Sequence, residues 1–339
     1  MPELSKGRKA KGANHTAEVQ HSGEEGRSAW QSALWLAGGV AGAVTLGNAL
    51  LFKLSPPPSH AVGGYFDRYP ARHGDIAYAV QGTGSPVLLL HGFGAGNSMA
   101  EWSAVVEELA LHHTVYALDF PGWGLSDKTK MRHSAHDYIE LIASFLSDVV
   151  KEPCALVGSS HSCALAIEVA QRKPEAVSKL VLVCPNTVKG GSEQAAQQAA
   201  VRAVLKVPGL STAFYNALCS RSSLEKFMRE HLFFDSSLAS PARVDRFYAA
   251  AHQDDATFAA YSFFEGSLDF DARASWGRIE QPALLIWGRN ARIVPLDAAP
   301  EWLANKPDAK LHVVDQAKLL PHVEHPAQWS GAVLGFLDS

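Results

Sequence analysis

Several features that would point to common functional classes are missing from this sequence. Its 339 residues include only four cysteines, which stand singly in apolar surroundings without a CxxC pair. A disulfide scaffold is therefore excluded, and the cysteines are expected to be small buried side chains. Thirty basic against 34 acidic residues leave a formal charge of -4, so nucleic acid is not an expected partner. The cysteines are Cys154, Cys163, Cys184 and Cys219.

Motifs for metals and cofactors are lacking as well. The pairs His112-His113 and His133-x-x-His136 have no third ligand at a suitable spacing, so no metal site is predicted. No phosphate-binding glycine loop stands at the first strand-to-helix turn, which disfavours a nicotinamide enzyme. The sequence therefore predicts no cofactor.

Charge is absent from one long segment near the amino terminus. Residues 28–52 contain no charged side chain, and as a helix these roughly 25 residues span about 37 Å, enough for the ~30 Å hydrocarbon core of a bilayer. We predict a transmembrane anchor over residues 28–53; a signal peptide cleaved near 59–61 and a soluble core helix are the alternatives. Basic residues are more numerous before the segment than soon after it, which predicts a cytoplasmic amino terminus and an extracytoplasmic folded domain.

Composition divides the rest of the chain into a tail, a spacer and a folded domain. Residues 1–27 are polar and poor in aliphatic side chains, which predicts a disordered tail, and the prolines within 54–61 predict a stiff spacer. Over residues 62–339, short β-rich runs alternate with helical patterns, an order typical of an α/β domain with a mainly parallel sheet flanked by helices. The predicted strands are 65–69, 76–80, 87–90, 114–118, 155–157, 180–183, 284–287 and 311–314. The predicted helices between them include 99–111, 136–150 and 163–172.

The alternation stops between the sixth and seventh predicted strands. Residues from about 186 to 275 contain only helical patterns, with Pro208 and Pro241 as breaks, so a helical insertion in the sheet domain is predicted. Such insertions form lids and binding walls. The predicted helices within it are 193–205, 222–232, 243–252 and 257–265.

A serine at the end of the fifth predicted strand is the strongest chemical signal. Residues 156–162 read LVGSSHS and precede an alanine-rich helical pattern. A serine on a sharp strand-to-helix turn has an exposed hydroxyl, and its neighbours Gly158 and Ser162 must be small because the backbone passes close by. Ser160 is therefore the candidate nucleophile, although Ser162 stands where the consensus motif has glycine.

Two further loops follow strands. Residues 91–96 (HGFGAG) form a turn after a run of leucines, where glycines such as Gly92 and Gly94 let backbone N–H groups approach an oxyanion. Residues 118–127 (LDFPGWGLSD) follow the next strand. In this order and spacing the three segments resemble those of the α/β-hydrolase superfamily, and the resemblance covers about residues 62–339.

This resemblance implies an α/β-hydrolase fold, with an eight-stranded sheet and a helical cap inserted after the sixth strand. It implies that Ser160 is the nucleophile and that the backbone N–H groups of Phe93 and His161 form the oxyanion hole. It also implies that Asp119, with the glycines at 122 and 124, belongs to a loop of mainly structural importance. The insertion corresponds to the family's cap, which closes over an acyl pocket.

Two residues of the family's catalytic triad are missing from their usual positions. The segment after residues 284–288 (LLIWG) reads RNARIVP and places Ala291 where related hydrolases carry the acid. Alignment on Pro321 places Leu319 where they carry the base. A serine hydroxyl is a weak nucleophile until a base takes its proton, so other residues nearby are candidates for the two missing roles. The candidates are His322, His325 or His161 as the base, and Asp297 or Asp315 as the acid.

Two functions remain open on these observations. One is a membrane-anchored serine hydrolase or esterase that acts through Ser160 on a small apolar ester or lipid-like ligand. The other is a catalytically impaired homologue, a pseudoenzyme, that binds a ligand or a protein partner. Other chemistry of the family, such as that of lyases and peroxidases, is a third class. Phenylalanines of the predicted cap suit an apolar ligand: Phe214, Phe227, Phe233, Phe234, Phe258, Phe263 and Phe264.

Overall fold

The structure is a computed structural model that describes residues 47, 50–58, 62–186, 192–207 and 209–339. Contacts divide the chain into Met1–Gly47 and Asn48–Ser339, and the fold described below is that of the second unit. The predicted tail at 1–27 and most of the predicted anchor at 28–53 lie outside the described residues. Within the described ranges, no helix has the length and apolar character needed to span a bilayer.

Eight strands form the central sheet: β1 (Tyr65–Ala71), β2 (Gly74–Gln81), β3 (Pro86–Leu90), β4 (Thr114–Leu118), β5 (Cys154–Ser159), β6 (Val177–Val183), β7 (Ala283–Gly288) and β8 (Lys310–Val314). Their order is β1-β2-β4-β3-β5-β6-β7-β8. The first two pairs, β1 with β2 and β2 with β4, are antiparallel, whereas every later pair is parallel. The predicted mainly parallel sheet of eight strands is confirmed.

Helices connect and cover the strands. In chain order they are α1 (Val106–Ala110), α2 (Ala135–Phe145), α3 (Ser162–Arg172), α4 (Ser192–Leu205), α5 (Leu210–Leu218), α6 (Arg221–Phe227), α7 (Pro241–Ala251), α8 (Thr257–Phe264), α9 (Arg273–Trp276), α10 (Ala299–Asn305), α11 (Pro321–Glu324) and α12 (Pro326–Leu337). Shorter 3-10 turns lie at Met99–Trp102, Pro174–Ala176, Ser236–Leu238 and Leu296–Ala298, and π turns at Leu146–Val150 and Met228–Leu232. Helices α4 to α9 all lie between β6 and β7, which is where the helical cap was predicted.

The central strands are apolar on both faces because helices cover the sheet on both sides. All six residues of β5 and all six of β7 are buried, the pattern expected for parallel strands inside an α/β domain. Helix α3 packs closely on β5 through small side chains such as Ala164 and Ala166, which are fully buried. Because α3 lies so close to β5, the chain turns sharply from the end of the strand into the helix, and Ser160 lies in this turn.

Two helical predictions need correction. The single helix predicted over residues 99–111 is a 3-10 turn, Met99–Trp102, followed by α1, because Asp119 Oδ1 accepts a hydrogen bond from the Met99 amide at 2.6 Å and holds that turn against the next loop. Helix α5 is not among the predicted helices, since Pro208 was interpreted as a break. Gly209, with φ 79°, instead forms the N-cap of α5.

Candidate active site

Ser160 occupies the sharp turn between β5 and α3. Its backbone lies in the left-handed region, with φ 53°, a conformation that is costly for a non-glycine residue and is found preferentially at functional sites. The Ser160 amide donates to Val183 O at 2.8 Å and ties the turn to the end of β6. Glycine is needed at position 158, because a Cβ there would lie 2.9 Å from the amide nitrogen of Cys163. The structure therefore places Ser160 on a strand-to-helix turn of the kind that the motif requires.

Ser162 fits the position where the family's consensus has glycine. It is fully buried, and its hydroxyl accepts a hydrogen bond from the Ser159 amide at 2.9 Å. The same hydroxyl lies 2.9 Å from the carbonyl oxygens of Leu90 and Ser159, to which it can donate. Because the hydroxyl has backbone partners, the substitution adds a polar group without leaving it unsatisfied.

The glycine-rich turn after β3 lies beside Ser160. The backbone amides of Phe93 and His161 donate no hydrogen bond to any residue that the structure describes, so both are free to bind an oxyanion. Gly96 has φ 82°, and a Cβ there would lie 2.2 Å from Phe247 O in α7. The cap therefore packs backbone to backbone on this turn and closes the site from above.

No motif pointed to Glu101, yet its carboxylate lies at the centre of the site. The side chain is 2% exposed, and Oε2 accepts hydrogen bonds from the Gly92 amide at 3.0 Å and from Asn97 Nδ2 at 3.2 Å. Burial raises the pKa of Glu101, but His322 and the Ser159 hydroxyl lower it more, so the pKa lies below its ordinary value. A buried, ionised carboxylate thus holds the glycine-rich turn at residues 91–96.

His322, the predicted relocated base, is paired with this carboxylate. Its ring is fully buried and stacks on Trp102 with centroids 4.4 Å apart, and Nε2 lies 3.4 Å from Glu101 Oε1. Neither ring nitrogen makes a hydrogen bond within the described chain, and the ring does not line the cavity above Ser160. A second candidate, His325, donates from Nε2 to a backbone carbonyl at 3.1 Å. A role for His322 as the base therefore stays a prediction, and any such role has to pass through Glu101.

Two other histidines near the nucleophile are bound to backbone groups. His161 Nε2 donates to Leu268 O at 2.8 Å, and burial lowers the pKa of His161, which favours the neutral ring. His91 Nδ1 donates to Gly92 O at 2.7 Å, and its Nε2 accepts from the Phe120 amide at 3.1 Å. These contacts give both rings structural partners.

The positions of the missing acid and base are occupied by apolar side chains. Ala291 and Leu319 are each 7% exposed, and Leu319 lines the same cavity as Ser160. Asp297 and Asp315, the candidate substitutes for the acid, are exposed and do not line that cavity. Asp315 forms an ion pair with an arginine at the surface. The assignment of Asp297 as the acid has no geometric support and stays a prediction.

The loop after β4 supports the site from behind. Asp119 is buried and accepts hydrogen bonds from the amides of Met99 at 2.6 Å and Leu125 at 2.7 Å. Gly124 has φ 49°, and a Cβ there would lie 2.1 Å from Asp119 Oδ2. Only glycine therefore allows the loop to fold around this carboxylate, which agrees with the structural role that the resemblance implies.

A cavity of about 290 Å³ opens above Ser160, between the sheet and the cap. Its floor carries the polar groups of Asn97, Glu101, Ser159 and Asn186 beside the nucleophile. The cap contributes an almost wholly apolar wall: Leu218, Leu224, Phe227, Met228, Leu232, Phe247, Phe263 and Phe264. Of the seven cap phenylalanines suggested by the sequence, those at 227, 263 and 264 line this cavity. An apolar enclosure with a few polar groups at one end is typical of a small-molecule site.

Comparison with known proteins identifies the family of this chain. Residues 85–326 match the model of the alpha/beta hydrolase fold family. A 2-hydroxy-6-oxononadienedioate/2-hydroxy-6-oxononatrienedioate hydrolase of Pseudomonas putida is 30% identical over 262 residues, covering 74% of this chain and 87% of that protein. A pimeloyl-[acyl-carrier protein] methyl ester esterase of Chromobacterium violaceum is 30% identical over 263 residues, covering 76% and 96%.

Solved structures show the same fold at lower identity. A serine hydrolase involved in carbazole degradation superposes with a TM-score of 0.68 at 21% identity, over 81% of this chain and 99% of that one. A membrane phospholipase A superposes with a TM-score of 0.67 at 21% identity, over 93% and 98%. The extent of the family match, together with the sheet order and the turn at Ser160, shows that this chain belongs to the alpha/beta hydrolase fold family.

Proposed function

We propose that this protein is a serine hydrolase that cleaves an apolar acyl or ester substrate through Ser160. The observation that carries the proposal is the placement of Ser160, in a left-handed backbone conformation, on the floor of a mainly apolar cavity. The free amides of Phe93 and His161 lie on the two turns that meet there. Relatives that are hydrolases, among them an ester esterase, support the reaction class.

The reaction follows from this arrangement. Ser160 Oγ forms a bond to the substrate's acyl carbon, and the carbonyl oxygen becomes an oxyanion that the amides of Phe93 and His161 stabilise. The bond between the acyl carbon and the leaving oxygen then breaks, and the leaving oxygen takes the proton that the Ser160 hydroxyl gave up. Water next forms a bond to the acyl carbon and the bond to Ser160 Oγ breaks, which releases the acid and returns a proton from the water to Ser160 Oγ. Loss of triad members leaves roughly 10³ to 10⁴ of acceleration over water, so turnover without the usual acid and base is slow.

Proton transfer in the proposed mechanism falls to Glu101. It is the sole carboxylate among the described residues that line the cavity, and its pKa lies below the ordinary value, so it is ionised at neutral pH and can accept a proton. His322 is a positioning residue in this scheme, because its buried ring places Nε2 3.4 Å from Glu101 Oε1.

One observation favours the alternative, a binding protein without turnover. Ala291 and Leu319 fill both triad positions with apolar side chains, and the histidines nearest the turn are held by backbone groups or by Glu101. In that case the cavity holds an apolar ligand, and Ser160 serves as a hydrogen-bonding group at its polar end.

Labelling with an active-site serine phosphonate distinguishes the two functions. The enzyme is labelled, and Ser160→Ala abolishes labelling. Ser330→Ala keeps it, because Ser330 is a buried serine of α12 that does not line the cavity. Absence of labelling in well-folded protein, with a lipid retained through purification, supports the binding protein. Ester hydrolysis that survives in Ser160→Ala would overturn the assignment of the nucleophile.

The proposal includes attachment to a membrane through residues 28–53, with the hydrolase domain on the extracytoplasmic side. The uncharged run and the excess of basic residues before it support this orientation. A membrane phospholipase A is among the proteins of similar fold, and at 21% identity this likeness speaks for the fold alone. Protease added to intact cells should digest the domain; protection of the domain in intact cells would reverse the orientation.

A further inference from the structure

Five large apolar side chains are exposed, three at the end of the uncharged segment and two around the start of the cap helix α5. Leu50, Leu51 and Leu54, at the end of the uncharged segment, are 48%, 42% and 78% exposed, and Val207 and Leu210 of the cap are 48% and 50% exposed. We call these five residues the apolar face. Grouped exposure of this kind marks a contact with a membrane or with another molecule.

The end of the uncharged segment is held on the cap. The Phe52 ring packs against the Tyr215 ring in α5, with centroids 6.3 Å apart, and against the His252 ring at 5.4 Å. Gln253 Nε2 donates to Pro56 O at 3.0 Å. Because α5 also carries Leu210, the leucines beside Phe52 and the exposed side chains at the start of α5 belong to the same part of the molecule.

Helix α5 also leads from the apolar face to the mouth of the cavity. Leu218 at its end and Phe227 at the end of α6 are 39% and 42% exposed, and both line the cavity above Ser160. A ligand that enters past these two side chains meets apolar contacts from the rim to the nucleophile.

The chain segments that carry the apolar face contain basic but no acidic residues, although Asp245 is paired with Arg221 and Asp254 follows Gln253, which contacts Pro56. Residues 28–66 and 194–224 contain no aspartate or glutamate. Their charged residues are Lys53, Arg202, Lys206 and Arg221. Lysines beside exposed apolar side chains favour an anionic lipid surface, because the apolar groups enter the acyl region while the ammonium groups meet lipid phosphates. A symmetric contact between two copies would instead bring like charges together.

We propose that the apolar face docks on the bilayer that holds residues 28–53, so that the mouth of the cavity lies at the membrane surface. The proposal rests on the anchor included in the proposed function, and it commits to lipid as the occupant. The chain itself supports this occupant, since the uncharged segment ends at Phe52, on the same cap helix that carries part of the face. Apolar substrate then reaches Ser160 directly from the lipid phase.

A fluorescent label on an introduced cysteine tests this docking. The described cysteines, at 154, 163, 184 and 219, are all fully buried, so a bimane reagent is directed to the introduced site. Three variants of the full chain are labelled: Val207→Cys, Leu210→Cys and Leu111→Cys. Each is reconstituted in vesicles of phosphatidylcholine and phosphatidylglycerol, with or without bromine on the acyl chains. Leu111 is the matched control, because it is 71% exposed and lies just before the amino-terminal end of β4, whereas Ser160 follows the carboxyl-terminal end of β5.

Docking predicts that brominated lipid removes most of the fluorescence at 207 and 210 and leaves that at 111 unchanged. Equal quenching at all three positions overturns the proposal, and so does a chain that fails to float with the vesicles. A disulfide-linked dimer of Leu210→Cys, formed on oxidation without quenching by lipid, assigns the face to a second copy and overturns it as well. The same labels on Ser160→Ala separate the two proposals, because docking does not depend on the nucleophile.

Discussion

Restoring the missing acid and base should turn a slow site into a fast one. The perturbation is the double substitution Ala291→Asp with Leu319→His, which places the usual residue types at the two positions that the family resemblance identifies. Both side chains are buried at 7% exposure, and Leu319 already lines the cavity with Ser160, so a histidine there faces the nucleophile's side of the pocket.

The structure also brings the two positions together. The Asn290 amide, beside Ala291, donates to Ala317 O at 2.8 Å, two residues before Leu319. A Cβ on Gly288 would lie 1.9 Å from Lys318 O, so the loops after β7 and β8 pack against each other without space between them. An aspartate and a histidine on these loops are therefore expected to reach hydrogen-bonding distance.

The expected gain follows from the cost of losing the same groups elsewhere. Removing the acid's contribution from a serine protease lowers turnover by about 10⁴. Allowing for imperfect geometry in a restored site, we expect kcat/KM for a p-nitrophenyl acyl ester to rise by about 10³, equivalent to roughly 4 kcal/mol of transition-state stabilisation. Leu319→His alone should give a smaller gain, and Ala291→Asp alone should lower stability, because a buried carboxylate without a partner is costly.

The matched control is the same double substitution on a Ser160→Ala background, which should show no gain. A well-folded double variant whose kcat/KM rises less than about tenfold would refute the reasoning. Such a gain corresponds to less than about 1.4 kcal/mol, against the roughly 4 kcal/mol expected. A gain that persists without the Ser160 hydroxyl would equally show that the reaction does not pass through this residue.

Three further changes test the surroundings of the site. His322→Leu leaves the buried Glu101 carboxylate without its polar partner at 3.4 Å and should lower the free energy of unfolding in urea by about 3–5 kcal/mol; adding Glu101→Gln should recover most of this loss. Burial lowers the pKa of His133 to about 4 from 6.5, so the unfolded chain binds the proton first and stability should fall by up to about 3 kcal/mol as the pH drops between these values. In His133→Phe this part of the pH dependence should disappear, and an unchanged slope would contradict it. Lys318 donates from Nζ to the carbonyls of Arg229 and Glu230 at 2.8 and 3.0 Å, so Lys318→Met should loosen the cap and speed limited proteolysis near residues 228–232, while equal cleavage of both proteins would count against this contact.

The secondary-structure elements that the sequence predicts correctly are those that depend on a few consecutive residues. A parallel strand buried on both faces is a short apolar run bounded by loops, so all eight strands were located, with ends displaced by a few residues. The α5 helix was not predicted because Pro208 was interpreted as a break, whereas Gly209 next to it is the N-cap of a new helix. Local sequence does not show whether a helix resumes directly after such a break.

The candidate site divides in the same way. Ser160 and the turn at residues 91–96 were recognisable because each motif consists of a few adjacent residues. The replacement of the usual acid by Ala291 and of the usual base by Leu319 was recognisable from their spacing to neighbouring motifs. Glu101 was not recognisable, since its importance comes from His322, which is far away in the chain and only 3.4 Å away in space. No periodicity or spacing connects two such residues.

By itself, the sequence determined the strand-to-helix turn at Ser160, the order of the eight strands along the chain, the uncharged segment and the absence of the usual acid and base, because each is written in consecutive residues. The tertiary structure alone decided that a buried carboxylate and histidine lie beneath the glycine-rich turn at residues 91–96, that the cap encloses an apolar cavity, and that Phe52 packs on α5. The physical reason is that hydrogen bonds, ion pairs and apolar burial act over a few ångströms of space, whichever residues folding brings there.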